Sequence, residues 1–192
     1  MSITALDQGL VALGLPKQAR VGIYSPNRSE WVVTQFAAAL ADLVLVNINP
    51  AYQEVELRHA LDKVEVSAVI LASGFKSSNY IDLMKSIVPE LGITNSTAIQ
   101  SKSSPYLKHC ILLGNEKHKG FMNFDDLYKI SDSGNTEYNI RTSNVDFEST
   151  TNIQFTSGTT GAPVSNHPHS VPLMIVILKS SSLLLLLRHF VL

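Results

Sequence analysis

Val21-Gly22-Ile23-Tyr24-Ser25-Pro26-Asn27, followed after a helical interval by Leu43-Val44-Leu45-Val46-Asn47-Ile48-Asn49-Pro50, is the stretch that decides the fold. Val21 to Tyr24 reads as a short buried strand, and Ser25-Pro26-Asn27 breaks it. Asn27 is a candidate helix cap with Glu30 three residues on, the spacing of a capping box. Trp31, Gln35, Ala38 and Ala39 then continue at helical spacing to about Asp42. Leu43 to Ile48 is β-rich and of strand length, and Pro50 forbids a direct helical continuation from Asn49. The order is strand, helix, strand.

Working outward, the pattern repeats. Gln53 to Lys63 carries an approximate apolar stripe through Val55, Leu57, Leu61 and Val64, and Val66 to Leu71 supplies the next strand. Ser73-Gly74 turns the chain, and Tyr80 to Val88 is helical through Ile81, Met84, Ile87 and Val88 before Pro89. Gly92 to Ser104 reads as loop, Leu107 to Leu113 as strand, Phe124 to Ile130 as a short helix and Ser131 to Ser149 as polar connection. Towards the N-terminus, Ala5 to Leu13 suits a helix, with Gly14 for its C-terminal turn and Pro16 as a stop. Alternation of this kind predicts an α/β fold, a parallel-rich sheet with covering helices, because each parallel crossover needs length to return the chain to the same edge. There is no tandem repeat.

Composition narrows the function. The 192 residues are close to one domain by the usual length prior of about 1.3. With 45% hydrophobic and 16% charged residues the chain can build a core, and a net charge of −1 offers no broad attraction for nucleic acid or an anionic membrane. The charge is unevenly spread. All 16 acidic residues lie at or before Glu148, whereas from Val164 onward the formal charges are Lys179 and Arg188. Two parts are therefore expected, 1–163 and a divergent apolar tail, 164–192. The tail is apolar at 15 of the 22 positions from Val171 to Leu192, but Pro172, Lys179-Ser180-Ser181-Ser182 and Arg188-His189 interrupt it. No run approaches the roughly 18 apolar residues of a membrane span, so a misplaced core segment or an exposed aggregation-prone tail is favoured over a transmembrane helix. Met1 to Leu15 contains no basic residue and is neither a signal nor a transit peptide, so the chain is expected to begin inside a fold. The single Cys110 excludes an internal disulfide and, within Cys110-Ile111-Leu112-Leu113, reads as a buried thiol. His167-Pro168-His169 lacks partners for a metal site, and none is expected.

The chemistry concentrates in Ile153-Gln154-Phe155-Thr156-Ser157-Gly158-Thr159-Thr160-Gly161-Ala162-Pro163. A strand running into hydroxyl residues and two glycines offers O–H and backbone N–H donors suited to phosphate oxygens. It is not the Walker form, because Gly158 and Gly161 lack the four-residue spacing and the following Gly-Lys-Ser or Gly-Lys-Thr. On composition alone a solvated turn is as good a reading.

The ordered motif resembles the nucleotide-binding loop of the adenylate-forming (AMP-binding) enzymes, specifically the acyl-CoA synthetases. Gly22-Ile23-Tyr24-Ser25-Pro26-Asn27, Trp31, and Val46-Asn47-Ile48-Asn49-Pro50-Ala51-Tyr52 with Glu56-Leu57 resemble the N-terminal region of the same family, closest to its mitochondrial medium-chain members. The resemblance runs from about Ala5 to Pro163. It implies an incomplete N-terminal domain of a ligase using ATP, Mg²⁺, a fatty acid and CoA. The carboxylate attacks the α-phosphorus to give acyl-adenylate and pyrophosphate, and the CoA thiol then takes the acyl group. It further implies that Thr156, Ser157, Gly158, Thr159, Thr160, Gly161 and Pro163 form the triphosphate loop, which positions and neutralises charge, and that no catalytic residue can be assigned here. A mitochondrial location is implied too, although with no import segment visible the cytosol stays open.

The pattern stops abruptly. Val164 and Ser165 stand where the family has Lys and Gly. A Lys–phosphate pair at about 4 Å is worth at most ~4 kcal/mol at an effective dielectric near 20, shared with water and Mg²⁺. The adenine and ribose contacts, most of the acyl pocket and the C-terminal domain with its lysine are not matched, so the chain is expected to be inactive alone. The alternative is a noncatalytic interaction or membrane-associated fragment, arising by splicing, a reading-frame change or a faulty gene model.

Overall fold

Helix α1 (Ile3–Ala12) is opened by Ser2, whose Oγ accepts from the Ala5 N–H at 3.4 Å. It is closed by Gly14, which takes φ +73° while its N–H bonds the Val11 carbonyl, a left-handed conformation that favours glycine. From there a computed structural model of the chain describes residues 2–131, 136–143, 146, 148–157 and 173–179. The strands are β1 (Arg20–Tyr24), β2 (Val44–Ile48), β3 (Val66–Leu71), a small hairpin of β4 (Gly74–Phe75) and β5 (Ser78–Asn79), then β6 (His109–Leu112), β7 (Phe121–Asn123), β8 (Thr150–Ser157) and β9 (Leu173–Lys179). The further helices are α2 (Ser29–Leu40), α3 (Glu54–Lys63), α4 (Tyr80–Ile87), α5 (Phe124–Lys129) and α6 (Thr136–Ser143). The expected strand–helix alternation is therefore present.

Seven strands form one sheet in the order β7-β6-β3-β1-β2-β8-β9, all pairs parallel except β8 with β9. The chain leaves β1 towards β2, returns past β1 to β3, and continues outward through β6 and β7. It then crosses back to place β8 beside β2. Opposite directions of travel require opposite faces for right-handed crossovers, and the side chains divide accordingly. Val21, Ile23, Leu45, Ala68, Ile70 and Ile111 pack beneath α1, α2 and α5, whereas Tyr24, Val46, Val69, Leu71 and Leu112 pack beneath α3 and α4. Alternate residues of one strand feed both cores, which is why these strands read as continuous apolar runs.

Several local expectations change. Arg28, not Asn27, occupies the N-cap of α2 and makes no side-chain cap bond; Glu30 turns to Arg28 Nη2 at 2.7 Å and Ser29 Oγ at 3.1 Å. A guanidinium next to the first turn outcompetes a backbone N–H for that carboxylate. A capping-box bond occurs one crossover later, where the Gln53 N–H donates to Glu56 Oε2 at 3.2 Å to start α3. The connection read as polar between Ser131 and Ser149 contains α6. Its Arg141, 4% exposed, donates from Nη2 to the Leu15 carbonyl at 2.6 Å and from Nη1 to the Ala41 carbonyl at 3.3 Å. One guanidinium thus serves carbonyls just beyond the C-terminal ends of α1 and α2, where a cation is favoured. Strand β7, three residues long, is also unannounced by any pattern. Within the tail, Leu173–Lys179 forms the strand paired to β8; the rest of 164–192 lies outside the described residues.

Candidate functional site

In an open α/β sheet the ligand crevice lies beyond the carboxyl ends of the strands where the strand order reverses. Here the order reverses between β1 and β3, and β2 and β8 continue the row of carboxyl ends on the other side of β1.

The segment leaving β2 is tightly held. Asn49 Oδ1 accepts from the Ala51 N–H at 2.9 Å, and the Tyr52 N–H reaches the Asn49 carbonyl at 3.1 Å. Two buried phenols then fasten it from below. Tyr24, at the end of β1, donates to the Tyr52 carbonyl at 2.5 Å; Tyr80, at the start of α4, donates to the Pro50 carbonyl at 2.5 Å. Their rings stack with centroids 3.8 Å apart. Burial raises both phenol pKa values, that of Tyr80 to about 12, so both remain neutral donors. The Asn49-to-Tyr52 wall of the crevice is therefore fixed by the core itself.

Beside β2 stands β8. Its Ile153 packs into the core under α3 and α4. On the α2 side Asn152, 1% exposed, donates from Nδ2 to Gln35 Oε1 at 2.7 Å and accepts at Oδ1 from Asn47 Nδ2 at 3.2 Å. Asn47 Oδ1 is buried without a partner among the described residues. Of the predicted loop, Thr156 and Ser157 form the last two positions of β8, opposite Met174 and Leu173 of β9. Gly158, Thr159, Thr160, Gly161 and Pro163 lie outside the described residues, as do His167 and His169.

Other groups fall away from this point. Cys110 is fully buried in β6, where burial pushes its thiol pKa far up, as expected of an inert core cysteine. A recess of about 690 Å³ lined by Leu13, Pro16, Ile99, Tyr106 and His109 lies at the amino end of the sheet, the opposite end from the crevice. Among the described residues no group of three or more His, Cys, Asp or Glu could hold a metal ion, and no helix is long and apolar enough to cross a membrane.

Residues 3–164 match the family described as AMP-binding enzyme. The chain belongs to that family. Within it the acyl-CoA ligases are its relatives: the mitochondrial medium-chain acyl-CoA ligase ACSF2 of Danio rerio is 38% identical over 159 residues, covering 81% of this chain and 26% of the relative. ACSF2 of Homo sapiens is 36% identical over 159 residues, covering 81% and 25%. A bacterial relative, YngI of Bacillus subtilis (strain 168), is 34% identical over 157 residues, covering 81% and 29%. The chain thus spans about a quarter of the length of the curated relatives it matches. Among solved structures, the anthranilate CoA ligase AuaEII in complex with anthranoyl-AMP superimposes with a TM-score of 0.70 at 17% identity, covering 97% of this chain and 30% of that one. At that identity the likeness concerns the fold, and it agrees with the α/β architecture described above.

The β1–α2–β2 crossover and the strand leading into the loop were legible in the sequence. The amide contacts of Asn152 and the double tyrosine fastening were not. A weak signal existed for the first, since Asn is disfavoured in a strand interior and Asn47 interrupts the apolar run from Leu43 to Ile48.

Proposed function

We propose that this chain carries the polyphosphate-binding part of a medium-chain acyl-CoA ligase, with Thr156, Ser157, Gly158, Thr159, Thr160 and Gly161 holding the ATP triphosphate and Pro163 ending the loop. The observation that supports this most is the position of β8: it runs parallel to β2, so its Thr156-Ser157 end lies at the carboxyl edge of the sheet, the edge that carries the switch-point crevice. The donor set fits. Hydroxyls and glycine N–H groups are the neutral donors a polyphosphate takes, and Mg²⁺ is commonly held in part by such phosphates.

When bound, ATP supplies the electrophilic α-phosphorus for the fatty-acid carboxylate, and CoA later accepts the acyl group. The chain's own residues would bind and orient: the loop donors would hold the triphosphate, and the tyrosine-fastened wall bounds the crevice. No loop residue serves as nucleophile. Medium-chain substrates and a mitochondrial location are proposed from the names of the ACSF2 relatives. The unit 1–163 is proposed as the family-like part and 164–192 as a divergent segment. Val164 and Ser165 in place of Lys and Gly favour a second outcome, nucleotide contact without turnover.

Calorimetric titration of the 192-residue chain with MgATP should give a heat that Gly158→Pro and Thr159→Val each diminish; titrations indistinguishable from wild type would overturn the loop assignment. Octanoyl-CoA formed from octanoate, ATP, Mg²⁺ and CoA by the same preparation, above the Gly158→Pro background, would replace the second outcome with full catalysis.

A further inference from the structure

We infer that Gln35, Asn152 and Asn47 form an amide relay that sets the register of β8 on β2, making them positioning residues for the carboxyl end of β8. Its bearing on nucleotide rests on the loop reading above; its bearing on register does not.

The pairing of β8 with β2 is short. Leu45↔Asn152, Val46↔Ile153 and Asn47↔Gln154 are its three partner positions, against five between β1 and β3. A one-residue slip would be rejected by hydrophobicity, because it would turn Ile153 to the α2 side and bury Asn152 among apolar groups. A two-residue slip keeps every side chain on its own face. It would bring Phe155 or Thr151 to the place of Ile153, an exchange the apolar core tolerates far better. It would put Gln154, a longer amide, or Thr150 in the place of Asn152, and neither keeps the relay at its present lengths. Two residues of strand are roughly 6.6 Å, and such a shift would part Asn152 Nδ2 from a Gln35 Oε1 now 2.7 Å away and Oδ1 from an Asn47 Nδ2 now 3.2 Å away.

The relay is also directional. Asn152 offers Nδ2 to the Gln35 oxygen, so its own oxygen faces Asn47 Nδ2. Each amide orientation fixes the next, across three elements: α2, β8 and β2. This leaves Asn47 Oδ1 as the unpartnered end among the described residues. Register matters because Thr156 and Ser157 are the last two positions of β8. The same roughly 6.6 Å slip would carry that end past its place beside β2, and misplacements of about 1 Å already cost on the order of 10²-fold where geometry is demanding.

The test pairs a register readout with a binding readout on the full 192-residue chain. Asn152→Leu, and Gln35→Leu where the former does not fold, should abolish or split the nuclear Overhauser contact between the paired Val46 and Ile153 backbones and weaken MgATP binding by about ten-fold or more. Leu10→Ala, in the core under α1 and away from β8, should keep that contact and the affinity despite lowering stability. The double variant Gln35→Asn with Asn152→Gln, which exchanges the long and short amides, should restore both signals. An unchanged Val46–Ile153 contact in the leucine variant that folds would overturn the relay whatever happens to ATP. A relay-dependent contact in a chain whose Gly158→Pro form binds MgATP like wild type would uphold the relay and overturn the loop reading instead.

Discussion

The two sides of the sheet are encoded differently. On the β3 side, β1 and β3 pair over five positions and their side chains are nearly all apolar, so burial alone places the strands. On the β8 side the pairing is short, one face carries amides, and the strand arrives through a crossover whose helix α6 is held down by Arg141 and by Tyr138 against Asp7. Apolar burial is strong but nearly indifferent to small translations along a strand. Polar contacts contribute less net energy but are lost within an ångström. The side that leads to the loop is the one specified by hydrogen bonds.

Removing bulk from the apolar side should have the largest effect. Ile70 is fully buried in β3, so Ile70→Ala should cost about 3 kcal/mol and lower the unfolding midpoint of the whole chain in urea. Survival of the fold with a loss confined to β8 would break the comparison. Next comes Arg141→Met, which preserves most of the stem but orphans the Leu15 and Ala41 carbonyls. It should cost about 2 kcal/mol, with amide exchange accelerating in α6 and β8 before it does in β1 and β3. Uniform acceleration would show that the two sides form one cooperative unit.

The smallest effect concerns pH. Burial raises the Asp7 carboxyl to about 6, against which the Gln8 N–H at 2.6 Å and the Tyr138 hydroxyl at 3.3 Å act only in part. The folded pKa lies above the unfolded value of about 4. Asp7 therefore contributes stability that is fully present below about pH 4 and is lost as pH rises through about 6. Asp7→Asn should remove this contribution to the pH dependence and stabilise the chain at pH 7.5 by on the order of 1 kcal/mol, as read from urea unfolding at pH 5 and 7.5. An equal slope in wild type and variant would remove Asp7 from the account of how α6 is held.

Much of the fold was legible because its signals are local. Pro26, Pro50 and Pro89 punctuate the chain, Gly14 supplies a left-handed turn, and the runs at Val21, Leu43 and Val66 are apolar on both faces, as strands between two helical layers must be. The Thr156-to-Pro163 motif was equally legible, since its meaning lies in residue types and order. Asn27 misled because a neighbouring charge decides where the Glu30 carboxylate turns, and Arg28 offered a stronger partner. Helix α6 was missed because Thr136-Glu137-Tyr138-Asn139-Ile140-Arg141-Thr142-Ser143 lacks an apolar stripe; its buried anchor is a charge.

The sequence by itself determined the alternation of elements, the two-faced core and the family to which the chain belongs, because periodicity, turn residues and an ordered motif act over a few neighbouring positions. The tertiary structure alone decided the strand order and the partners of Arg141, Tyr24, Tyr80 and Asn152. Gln35 and Asn152 stand 117 residues apart, as Leu15 and Arg141 stand 126 apart. A hydrogen bond constrains its two ends only once the intervening chain has been folded to bring them within about 3 Å, and no local pattern records that distance.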